Sequence, residues 1–211
     1  MNEIKAVIFD CDGTLVESEF LSNEVLSTYV AEFGLSISAR EATELFSGGR
    51  MANSLQVLES RLGCSLPESF VAEFRRRQAI ALRERLQPID GAHDLLAGLT
   101  RPFCLASNAP LDKCELNLEV TGLNHFFTSE RVFSAYQIGV WKPEPDLFLH
   151  AADAMNVDPA NCAVVEDSPI GVAAGRAAGM QVFAFDPNSR HKWHFNGVTL
   201  IRTLSKMIEY L

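Results

Sequence analysis

The sequence has no apolar run of membrane-spanning length, no surplus of positive charge, no Cys-x-x-Cys pair and no internal repeat. Each absence removes a class of function. A transmembrane helix needs about 20 consecutive apolar residues, and the N-terminus passes straight into its first apolar strand without a secretory stretch. A cytoplasmic protein with no membrane partner is therefore expected. The formal charge is -9, from 18 Lys and Arg against 27 Asp and Glu. That balance argues against a nucleic-acid partner, because the one basic cluster, Arg75-Arg76-Arg77 with Arg83 and Arg85, reads as a coated helix face. Five cysteines, an odd number, make a zinc site or disulfide framework a poor reading. Cys11 reads as a small packed side chain pointing away from the acids beside it. What remains is ordinary for a soluble fold: 47% hydrophobic and 21% charged among 211 residues, enough to bury a sizeable core.

The most informative stretch is AVIFDCDGTLV, Ala6 to Val16. Its apolar run Ala6 to Phe9 predicts a short buried strand that stops at Asp10, with Asp12 two residues on and Gly13 next. Asp-Gly alone marks a turn, but a turn does not ask for the second acid. From about residue 101 short apolar runs alternate with helical patterns, which predicts a doubly wound parallel α/β sheet covered on both faces. The strands expected are PFCLASN, FFTS, CAVVED and QVFAFD, and the helices Leu111 to Val120, Asp146 to Met155, Pro169 to Gly179 and Leu200 to Leu211. Ser168 and Pro169 suit the cap and first turn of the third helix, and Gly171, Gly175 and Gly179 form a bare stripe for close packing on the sheet. Between about Glu17 and Gln87 only helical periodicity is found. The expected organisation is an α/β core of residues 1–16 and 88–211 with an all-helical insertion of residues 17–87, re-entering at the turn-forming Pro88-Ile89-Asp90-Gly91.

Ligands of such sheets bind beyond the carboxyl ends of the strands. Asp10 and Asp12 follow the first strand, Ser107 and Asn108 the second, Glu166 and Asp167 the strand at 162, and Lys142 joins from a loop. Asp10, Glu166 and Asp167 would repel one another without a cation, and hard oxygen ligands suit Mg²⁺. Ser107 with nearby N–H groups and the point charge of Lys142 fit the oxygens of a phosphoryl group. A carboxylate held against phosphorus can act as nucleophile, giving an aspartyl-phosphate. Asp12 would then protonate the leaving alcohol and activate water, which asks for an environment that raises its pKa.

These motifs, FDCDGTLV, SN, WKPEP and VEDS, resemble in order and spacing the haloacid dehalogenase-like phosphatase superfamily, and the helical insertion resembles the α-helical cap of one of its subgroups. The resemblance implies a Mg²⁺-dependent phosphatase with Asp10 as nucleophile and Asp12 as acid/base that also binds the metal through its backbone carbonyl. It implies Asp167 as metal ligand assisted by Glu166, Lys142 steadying Asp10 and the phosphate, and Ser107 and Asn108 holding phosphate oxygens. IGVWKPEPDLFLHAADAMNV, NCAVVEDS and AAGMQVF are similar to bacterial sugar-phosphate phosphatases, implying a sugar phosphate or phosphosugar acid as the small-molecule substrate. In this family a cap loop dips into the active site, here Ser47-Gly48-Gly49-Arg50, and Arg50 is the candidate for pairing with a substrate carboxylate or phosphate. Relatives often carry lysine where Ser47 stands. One of Arg75, Arg76 and Arg77 is a further candidate for the cleft, while the five histidines read as structural or surface residues.

A β-phosphoglucomutase-type phosphomutase would share the core motifs, but relatives of that kind carry a linker histidine about where Ser22 stands. A dehalogenase would lack Asp12 and Asp167. A phospho-acceptor receiver module would not hold a long helical insertion. A monomer or weak homodimer is expected.

Overall fold

Strand β1, Ala6–Phe9, is buried at every position because it lies in the middle of a sheet covered on both sides. In the computed structural model, which describes residues 2–46, 48–191 and 193–211, six strands pair in the order β3-β2-β1-β4-β5-β6. They are β2 Phe103–Ser107, β3 Val132–Ser134, β4 Cys162–Glu166, β5 Gln181–Phe185 and β6 Val198–Ile201, all parallel. Alternate side chains serve the two faces. Val7 and Phe9 pack with Leu105, Val165 and Phe183 on one face, and Ala6 and Ile8 with Cys104, Val164 and Val182 on the other. Burying each of the larger side chains contributes about 1.5–3 kcal/mol.

Helices α1 Ser18–Ala31, α2 Ala39–Phe46, α3 Met51–Leu62 and α4 Phe70–Arg85 follow β1 and gather round their own apolar cluster, in which Tyr29 stacks on Phe70 at 4.7 Å. The chain leaves and re-enters the sheet region through two segments that run side by side: Glu17 N–H donates to Gln87 O at 3.0 Å and Ile89 N–H to Leu15 O at 2.8 Å. Then come α5 Ala92–Gly98, α6 Leu111–Val120, α7 Ala135–Ile138, α8 Asp146–Ala154 and α9 Pro169–Ala177. No helix among the described residues is long and apolar enough to cross a membrane.

Three expectations are corrected. The FFTS segment is not a strand: Asn124–Phe126 and Ser129–Arg131 are 3-10 turns, and the edge strand is the three-residue β3 just beyond. Residues 200–211 are not an α-helix. The chain there finishes β6 and makes a 3-10 stretch, Leu204–Tyr210, whose Leu204 and Met207 recur at the three-residue spacing that also mimics an α-helical face. The glycine stripe has mixed causes. A Cβ on Gly175 would come within 2.9 Å of Val182, as close packing requires, but Gly179 lies past the helix with φ of +74° and nothing near it.

Candidate active site

The order of strands reverses between β1 and β4, and their carboxyl ends open a crevice at that point. Asp10 continues β1, its N–H donating to Val165 O at 3.0 Å, while Glu166 ends β4 and Asp167 follows. Carboxylate oxygens of these three buried residues lie within 4.8 Å of one another. Lys142, 4% exposed, reaches in from the loop before α8 and donates to Asp10 Oδ1 at 2.5 Å and Glu166 Oε1 at 2.8 Å. Removing that ammonium would leave two buried carboxylates unpaired, a cost of about 3–5 kcal/mol.

Local sequence fixes this nest tightly. Glu166 Oε2 accepts from the N–H and hydroxyl of Ser168, both at 2.8 Å, and Ser168 Oγ in turn caps α9 by accepting from Gly171 N–H at 3.1 Å. A Cβ on Gly171 would sit 1.7 Å from Glu166 Oε1, and one on Gly13, whose φ is +82°, 2.1 Å from Asp167 Oδ2. Both glycines make room for carboxylates. Lys142 and the partly exposed Arg190, whose guanidinium lies 3.5 Å from Asp167 Oδ2, face three acids, so the nest stays short of positive charge. Burial, opposed by Lys142 and reinforced by Glu166, pushes Asp10 far above the usual carboxylate range, and burial with Glu166 and Asp10, opposed by Arg190, does the same to Asp167. A hard divalent cation held by these oxygens would reverse both shifts, so the donor set fits Mg²⁺.

Asp12 behaves otherwise. Its carboxylate turns from the nest toward α6, where Lys113 Nζ donates at 2.6 Å and Asn117 Nδ2 at 3.0 Å, with the Ser18 hydroxyl from α1 as a third donor. Burial alone would raise its pKa, but Lys113 and these hydrogen bonds hold it below the usual value. The raised pKa expected from sequence is therefore not found, and the Asp12 carboxylate is not one of the three that approach one another. Lys113 and Asn117 were missed because their spacing on α6 carries no signal until Asp12 is known to face them.

Ser107, 2% exposed, accepts from Ala109 N–H at 3.1 Å. Asn108 Oδ1 accepts from Lys142 N–H at 2.9 Å, and its Nδ2 donates to Gly48 O at 3.2 Å, tying the sheet edge to the loop before α3. Asp10, Asp12, Ser107, Asn108, Lys113, Lys142, Glu166 and Asp167 line one cavity of about 270 Å³ whose far wall is built by α1, α3, α4 and the end of α2.

Arg50, expected in the cleft, is not brought into the cavity in this structure. Arg50 is exposed, its guanidinium lies 3.9 Å over the Trp141 ring, and it does not line the cavity. It immediately precedes α3 in extended conformation and stacks on the outside. Ser47, the first residue of that loop, lies outside the described residues. The arginine triplet resolves cleanly. Arg76 and Arg77 pair with Glu73 and Glu32 on the surface, where such pairs are worth little, whereas Arg75 lines the cavity beside Tyr136, whose hydroxyl accepts from it at 3.1 Å. Arg83 lines it too, and none of the five histidines does.

The haloacid dehalogenase-like hydrolase family model matches residues 4–179. Over 99% of its length the chain is 36% identical to 95% of the 6-phosphogluconate phosphatase of Escherichia coli, and over 85% it is 31% identical to 82% of hexitol phosphatase A of the same organism. A crystal structure of a conserved haloacid dehalogenase-like protein of unknown function from Agrobacterium tumefaciens superposes with a TM-score of 0.82 at 32% identity, covering 98% of this chain and 96% of that one.

Proposed function

The chain belongs to the haloacid dehalogenase-like hydrolases and is a phosphatase of that family, and on that premise we propose that it hydrolyses the phosphate ester of a sugar or sugar acid, such as 6-phosphogluconate, with Mg²⁺ and an aspartyl-phosphate on Asp10. The observation that carries this reading is the buried nest of Asp10, Glu166 and Asp167, short of positive charge and open to a metabolite-sized cavity. Mg²⁺ held there would ionise Asp10 and offset the charge of a phosphoryl group brought against it.

The chain's own residues do the rest. Asp10 attacks phosphorus in line, forming one P–O bond as the bond to the alcohol breaks. Lys142 offsets charge on Asp10 and the phosphoryl oxygens, and Ser107 and Asn108 hold those oxygens. Asp12 stands as a carboxylate in the free enzyme. Arrival of the anionic phosphoryl group raises its proton affinity, so it takes up a proton, passes it to the leaving alcohol, then removes one from the water that releases phosphate. Arg75 stands where a carboxylate at the far end of the substrate would meet it.

Release of inorganic phosphate from a panel of phosphate esters, with and without Mg²⁺, tests the proposal. Multiple turnovers on sugar phosphates that stop on chelation are expected. Turnover that needs a sugar bisphosphate primer would point to a phosphomutase instead, and phosphate release unaffected by chelation would overturn the metal assignment.

A further inference from the structure

The cavity wall opposite the acidic nest carries neutral polar side chains whose hydrogen-bonding capacity the fold leaves unused. Gln78 on α4 is 9% exposed and Ser54 on α3 is 6% exposed; both line the cavity, and neither side chain hydrogen-bonds to any described residue. Ser22 Oγ on α1 is buried without a partner among the described residues. Asn23 beside it, 6% exposed, donates to its own helix, at Glu19 O, 2.9 Å away. Buried polar groups are nearly always paired. Here four unfilled or part-filled groups from three helices converge on one space, set among the apolar Leu26, Phe46, Phe74 and Leu82 that line the same wall.

Their chemistry selects the ligand. None carries charge, so none offsets an ionic group as Lys142 does for the phosphoryl oxygens. Amide and hydroxyl groups both donate and accept, which is the requirement for meeting alcohols. We propose that Gln78, Ser54, Asn23 and Ser22 form a hydroxyl-reading subsite, so that the enzyme selects phosphate esters of polyhydroxylated chains over plain alkyl phosphates. This rests on the phosphatase reading above. In the free protein cavity water meets Gln78, Ser54 and Asn23, while Ser22 Oγ behind them is sealed from water; substrate hydroxyls replace that water, and an alkyl chain of the same length would displace it and leave the groups unmet.

A matched set of six-carbon esters tests the subsite: sorbitol 6-phosphate and 6-phosphogluconate against n-hexyl phosphate, each with Mg²⁺. Wild type is expected to prefer the hydroxylated esters by at least ~100-fold in kcat/KM. Gln78→Leu and Ser54→Ala are each expected to shrink that preference about tenfold or more, through a raised KM for both hydroxylated esters. Melting temperatures are expected to hold or rise, since no internal hydrogen bond is lost. Equal losses on all three esters, or an undiminished preference in both variants, would overturn the subsite. Wild-type hydrolysis of all three without preference would overturn it while leaving the phosphatase reading standing. Release of phosphate from none would remove both readings.

Discussion

The two walls of the cavity are built on opposite principles. The sheet wall concentrates charge: three carboxylates and Lys142 are nearly fully buried, and each position is dictated by the end of a strand or the start of a helix. The helical wall carries fewer charges, Glu19 at its border with the sheet and Arg75 and Arg83 at less buried positions, and between them its buried polar side chains are neutral. Charge on the first wall demands exact placement, because an unpaired buried ion costs several kcal/mol. The second wall tolerates unfilled hydrogen bonds that a ligand can take. On the proposed function, chemistry common to many phosphate esters belongs to the sheet wall and recognition of a particular substrate to the helical wall.

The comparison is broken most severely on the sheet wall. Asp10→Asn is expected to lower kcat on the order of 10⁴-fold or more while leaving the circular dichroism spectrum unchanged. Retained turnover would remove Asp10 from the reaction. Asp12→Asn should cost about 10²–10⁴-fold in kcat, read from steady-state rates, since it removes one proton carrier without touching the nest. Gly171→Ala reverses an ordinary trend. Alanine is usually favoured over glycine inside a helix by about 1 kcal/mol, yet here a Cβ would strike Glu166, so a loss of about 1–3 kcal/mol is expected by urea unfolding. The smallest effect belongs to the helical wall. Arg75→Ala should raise KM about tenfold for 6-phosphogluconate and less for sorbitol 6-phosphate, and equal changes would remove Arg75 as a reader of the carboxylate.

The same contrast explains what could be read from the sequence. Asp10, Ser107 and Glu166 were legible because an apolar run must stop at a strand end, and the polar residue there has nowhere to go but the crevice. Helices α6, α8 and α9 were legible from periodicity and, for α9, from its cap. β3 was not, because three residues are too few to alternate, and of the neighbouring phenylalanines Phe126 ends a 3-10 turn and Phe127 is extended but unpaired with the sheet. The protonation of Asp12 was misjudged because its decisive neighbour, Lys113, lies a hundred residues away in sequence. On the helical wall an arginine or glutamine at one helical position looks like any other until the tertiary face is known. The sequence therefore points to Arg50 in its loop and does not distinguish Arg75 from Arg76 and Arg77.

The most direct test of the central claim is to trap the covalent intermediate. The enzyme, mixed with 6-phosphogluconate and Mg²⁺, is quenched with borohydride, and its peptides are examined by mass spectrometry for an aspartate reduced to homoserine. Reduction at Asp10, dependent on both Mg²⁺ and substrate, is the predicted result; reduction at another acid, or none while phosphate is being released, would contradict it.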